Sequence, residues 1–126
     1  MKWKQGLDKF RSTNNLTNPQ THTNIETGSP AIIDMLLEEV EELRLAILAN
    51  DTHETINACN DLITLSANHL GQMKYDVDLT MKETVKEILS RTGAINTATG
   101  KWTKFTTSEA KALWYTPDYS TCKVSN

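Results

Sequence analysis

The chain has 126 residues, with 13 Lys/Arg against 16 Asp/Glu, a net charge of −3 and 38% hydrophobic residues. That length supplies one domain with a real core, so a single domain spanning residues 1–126 is expected. No apolar run approaches the roughly 18 residues of a membrane span and no signal pattern opens the chain, so a soluble, cytoplasmic protein is expected.

Charge is unevenly distributed. Residues 1–80 hold 6 Lys/Arg against 12 Asp/Glu, and residues 81–126 hold 7 against 4. An acidic part followed by a basic one suits a metal–phosphate ligand better than a nucleic-acid duplex, and no nucleic acid is expected as partner. Cys59 and Cys122 are the only cysteines. Neither a disulfide framework nor a zinc spacing can be built from them. His22, His53 and His69 are scattered, without the spacing of a ligand pair.

In chain order, Trp3, Leu7 and Phe10 recur at helical intervals and predict a short amphipathic helix up to Arg11. Residues 12–28 are rich in Thr, Asn, Pro and Gly and read as a long loop, either a solvated connector or a cover over substrate. Ser29 and Pro30 read as an N-cap and first-turn proline. From there Ile32, Met35, Leu36, Val40, Leu43 and Ile47 keep a helical period with a stripe wide enough to be buried on more than one side. Asn50-Asp51-Thr52 breaks the pattern, with Thr52 and Thr55 as candidate caps for the next helix. That helix runs through Ile56, Leu62, Ile63 and Leu70 to about Tyr75, and so short a link makes the two an antiparallel hairpin. Thr80 and Glu83 are spaced as a capping box for a third helix to about Arg91, with Met81, Val85, Ile88 and Leu89 on its buried face. Beyond Thr92-Gly93 a turn-rich stretch leads to a possible strand at 101–105, one or two helical turns from Ser108, and an aromatic tail.

Glu38, Glu39, Glu41 and Glu42 place four carboxylates within five residues. Counted from a hairpin link near position 50.5, Glu42 lies 8.5 residues before it, Glu39 11.5 before and Asp61 10.5 after. At about 1.5 Å of rise per residue the three stand at similar height and can share one cation. Glu39 with Glu42, and Asn57 with Asp61, have the spacing of same-face pairs. Oxygen ligands without His or Cys favour Mg²⁺ or Mn²⁺ over zinc. Glu41 lies off this line and is expected to face solvent.

Glu-Glu-x-x-Glu at 38–42, the hairpin, and Asp61-Leu62-Ile63 together resemble the all-α nucleoside triphosphate pyrophosphatase superfamily, which includes MazG proteins, dimeric dUTPases and phosphoribosyl-ATP pyrophosphohydrolases. The likeness covers residues 30–91 and is closest to small phage-type members, which would work in the host cytoplasm. It implies an all-α fold with a core at 29–91 and an irregular C-terminal extension at 92–126. The helical hairpin and third helix would complete a four-helix-type bundle in a homodimer or homotetramer.

The resemblance also implies hydrolysis of a (d)NTP to (d)NMP and pyrophosphate, with Glu39, Glu42, Asp61 and Asn57 around Mg²⁺, or Mn²⁺ in its place. Glu38 would be a further ligand or the catalytic base. Lys86 and Arg91 are expected at the phosphates and Asn60 at the base, with Trp3, Phe10 and Trp102 as further candidates there. The chain departs from the family's Glu-x-x-Asp by carrying Ala58 three residues before Asp61, with Asn57 four before it. That departure leaves a second reading, a catalytically degenerate helical-bundle interaction protein.

Overall fold

A computed structural model describes residues 2–14 and 27–124, which form five α-helices and one two-stranded hairpin. They fall into two compact units, Met1–Tyr75 and Asp76–Asn126. Most of the expected long loop, residues 15–26, and His22 with it, lie outside the described residues.

The first unit contains α1 (Trp3–Thr13), α2 (Ala31–Leu48) and α3 (Thr52–Gln72). At the start of α2 the Ser29 hydroxyl accepts from the Ala31 N–H at 3.3 Å, and Pro30 already has helical dihedrals. Proline suits this place because its fixed φ is helical and its missing N–H lies where helices leave donors unpaired. Asn50 sits at the middle of the α2–α3 link with φ 53°, a left-handed conformation that asparagine tolerates better than most residues. The cap of α3 is Asp51, whose carboxylate accepts from the Glu54 N–H at 3.0 Å. This corrects the assignment to Thr52, which is the first helical residue.

The hairpin expected from the sequence forms, with α2 packed along α3 and α1 against α3. Among the described residues its buried apolar positions are small: Ala46 on α2, and Ala58 and Ala67 on α3. Small side chains let helix backbones approach closely, so the larger residues flank the contact. Half of the wide stripe on α2 stays exposed, with Met35 at 45%, Val40 at 50% and Ile47 at 55%.

The second unit contains α4 (Val77–Ser90), β1 (Gly93–Ile95), β2 (Trp102–Lys104) and α5 (Ser108–Ala112). Asp76 caps α4 by accepting from the Leu79 N–H at 3.0 Å. Thr80 and Glu83 are therefore interior residues of α4 and not its capping box, and both are buried. Met81, Val85, Ile88 and Leu89, expected on the buried face, are exposed. The unit is organised instead around polar contacts between α4 and the tail. Glu83 accepts from the Tyr115 hydroxyl at 2.5 Å, the Asp118 N–H at 3.0 Å and the Lys86 ammonium at 2.6 Å. These three donors hold its carboxyl down at about 2, the Lys86 bond contributing most.

β1 and β2 pair antiparallel in the register Gly93↔Lys104, Ala94↔Thr103 and Ile95↔Trp102. The sequence shows the second strand but not its partner, because Gly-Ala-Ile has no alternation to read. Glycine is required at 93: a Cβ there would stand 2.4 Å from the Thr103 carbonyl oxygen and 2.6 Å from the Trp102 ring. Among the described residues no helix is long and apolar enough to cross a membrane.

Candidate metal centre

Helical geometry on both arms of the hairpin brings three acids to one place. Glu39 and Glu42 are one turn apart on α2, and Asp61 meets them from α3. One carboxylate oxygen from each lies within 4.8 Å of the others. Glu39 and Asp61 are partly buried and Glu42 is exposed, so the cluster is open on one side. Oxygens on opposite sides of Mg²⁺ stand about 4.2 Å apart, and around Ca²⁺ about 5 Å, so small rotamer changes would let the three close on a hard cation of either size.

Glu39 carries the strongest sign of an unmet need. Its Oε2 is buried and accepts from no donor among the described residues. Glu42 and Asp61 beside it offer only acceptors when ionised. Desolvation, followed by the proximity of Glu42 and then of Asp61, pushes the Glu39 carboxyl above its ordinary value. A cation shared by these oxygens would relieve that repulsion and desolvation. The donor set therefore fits a divalent cation.

The neighbouring acids divide as their positions on α2 require. Glu41 points away and forms a bidentate pair with Arg44 at 2.9 and 2.7 Å, which lowers its carboxyl. Glu38 is exposed on α2, directly before Glu39 in the chain. Asn57 is exposed one turn before Asp61 and donates to the Asp61 Oδ2 over a long 3.4 Å contact. Ala58 is only 2% exposed, so no open space waits there for a further acid. Asn60 is exposed on α3, and Cys59 is an exposed free thiol.

Lys86 and Arg91 belong to the second unit and each is already paired, Lys86 with Glu83 at 2.6 Å and Arg91 with Glu87 at 2.5 Å. The phosphate contacts expected of them rest on the sequence. Trp102 lies on the β-hairpin over Gly93.

A cleft of about 540 Å³ opens beside the triad, within the first unit, and both Glu39 and Asp61 line it. Leu7, Phe10 and Arg11 form its α1 wall, Ile32 and Met35 its α2 wall, and Asn68 and His69 extend it along α3. His69 donates through Nε2 to the Thr27 carbonyl at 2.7 Å, and its ring lies directly against Gly28, which has φ +79°. Reading the sequence for acids overlooked Arg11 and Asn68. A signal was present for the first: Leu7, Phe10 and Arg11 are spaced i, i+3, i+4 and so share one face of α1.

Comparison with models of protein families, with curated proteins and with solved structures finds no match to this chain. Fold and site together define an all-α, multi-helix domain whose acidic cluster could coordinate a divalent metal.

Proposed function

We propose that the chain is a Mg²⁺-dependent nucleoside triphosphate pyrophosphatase that converts a (d)NTP to (d)NMP and pyrophosphate. The observation that carries this reading is the meeting of Glu39, Glu42 and Asp61 within 4.8 Å, with a buried Glu39 oxygen that has no donor. The resemblance of residues 38–42 and 61–63 to the all-α pyrophosphatases supplies the reaction class. A bound divalent cation would neutralise phosphate charge and lower the pKa of the attacking water.

The chain's own residues do the rest. Glu39, Glu42 and Asp61 hold the cation, and Asn57 steadies the Asp61 carboxylate from one turn away. Glu38 takes a proton from the water as its oxygen attacks the α–β anhydride. The phosphorus–oxygen bond to the leaving phosphate then breaks, releasing pyrophosphate and the monophosphate. The exposed apolar face of α2 supports assembly into a homodimer or homotetramer, because a second copy would bury Ile33, Leu37 and Leu48.

A second reading is favoured by Ala58 and Asn57, which leave the α3 half of the site with one carboxylate. Under it the bundle survives as an interaction module without catalysis. Pyrophosphate release from a panel of triphosphates with Mg²⁺ separates the two, alongside Glu42→Gln and Asp61→Asn. The hydrolase reading expects release by the parent and its loss in both variants. No release from any triphosphate favours the module, and full activity in the variants would move the site elsewhere.

A further inference from the structure

Arg11 occupies an unusual place for a surface-helix cation. Its side chain is 13% exposed, and Nη1 donates to the Asn68 Oδ1 at 2.8 Å while Nη2 pairs with Asp8. The guanidinium lies flat over α3 at Gly71, where a Cβ would come within 2.6 Å of Cζ. Only a residue without a side chain lets it approach that closely. Arg11 and Asn68 therefore form a fixed polar edge to the cleft, whose other walls include Leu7, Phe10, Ile32 and Met35.

The chemistry of that edge is one-sided. A guanidinium carries five N–H donors and no acceptor. Because arginine can only donate, the Asn68 oxygen must face it, which turns the Asn68 amide nitrogen, also a donor, to the other side. Apolar walls with a donor-rich edge suit the faces and acceptor edge of a planar base. They suit a phosphate less well, since Asp8 already balances the Arg11 charge. Asn68 lies seven residues beyond Asp61, about 10 Å along α3. That is about the length of a nucleoside whose phosphates reach the triad.

We propose that the Arg11–Asn68 pair, held over Gly71, makes this cleft selective for a 6-oxopurine over a 6-aminopurine. Guanine presents O6 and N7 as adjacent acceptors to the N–H donors that Arg11 and Asn68 together bring to the cleft, whereas adenine sets an amino donor against them. The assignment rests on the nucleotide reading of the neighbouring triad, but its test does not need catalysis.

Binding of GMP, AMP, UMP and CMP is measured by calorimetry without divalent cation, on the parent, Arg11→Met and Gly71→Ala. GMP is expected to bind at least about tenfold more tightly than AMP, the discrimination of one bidentate contact. Both variants should bring the ratio near one. Gly71→Ala distinguishes recognition from mere structure: alanine is a better helix former than glycine, and the clash is with the far end of a flexible side chain, so melting should hold or rise while selectivity is lost. Equal binding of GMP and AMP, tighter binding of a pyrimidine, or a GMP preference that survives both variants would overturn the assignment. A GMP preference without pyrophosphate release from any triphosphate would uphold it and reject the hydrolase reading.

Discussion

Replacing Ala58 with Glu adds a fourth acid one turn before Asp61, and the structure predicts that the change damages the fold without improving the site. On α3, position 58 lies about 60° from Asp61 and on the opposite side of it from Asn57. Its 2% exposure leaves no room for a longer side chain. Overfilling a packed position costs about 1–3 kcal/mol, and burying a carboxylate adds to it. For a unit of about 75 residues, each kcal/mol moves the melting midpoint by about 4–8 °C, so the overfilling alone predicts a fall of about 4–24 °C. Thermal melting followed by circular dichroism measures it, and Ala58→Gln separates bulk from charge by sharing only the former. An Ala58→Glu protein that melts at the parental temperature and binds Mg²⁺ more tightly would show that position 58 opens onto the cluster, and the packing argument would be wrong.

Removing the cap of α3 with Asp51→Ala should destabilise the first unit by about 0.5–2 kcal/mol, read from denaturant unfolding; an unchanged midpoint would return the cap to Thr52. In metal-free protein the raised Glu39 carboxyl makes stability highest below the ordinary carboxylate value and lowers it as pH rises through the folded value, so the melting midpoint should fall on going from pH 4.5 to neutral. Glu39→Gln should flatten that limb, and an unflattened one would assign it to other groups. Glu83 behaves in the opposite sense: its carboxyl is lowered from 4.5 to about 2, so the stability it contributes is present above 4.5 and is lost as pH falls through about 2. Acid unfolding followed by Tyr and Trp fluorescence should therefore lose part of its pH dependence in Glu83→Gln. Gly93→Ala should disrupt the β-hairpin, because its Cβ would stand 2.4 Å from the Thr103 oxygen, and weakened amide protection at 93–104 would report it.

Periodicity and distance from the hairpin link were enough to pair Glu39 and Glu42 with Asp61 and to turn Glu41 outward. Those relations depend only on helical rise and turn, which hold wherever the helices form. Capping was legible in kind but not in position. Asp51 and Asp76 each stand one or more residues before the Thr chosen from spacing, and either residue type can cap. The least legible parts were those set by tertiary contact. Nothing local shows that Glu83, inside α4, accepts from Tyr115 and Asp118 more than thirty residues away. Likewise Gly71 reads as a mild helix weakness until Arg11 is seen lying on it. The apolar residues of α4 follow a helical period yet stay exposed, because polar contacts with the tail took the buried face.

The central claim is that Glu39, Glu42 and Asp61 hold a divalent cation, and thermal melting in millimolar Mg²⁺ against chelator tests it most directly. A cation at about 100 times its dissociation constant stabilises the native state by about 2.7 kcal/mol. For a unit of this size that is a rise of about 10 °C or more, absent in Asp61→Asn. An equal midpoint with and without Mg²⁺ or Mn²⁺, or an equal rise in Asp61→Asn, would contradict the account.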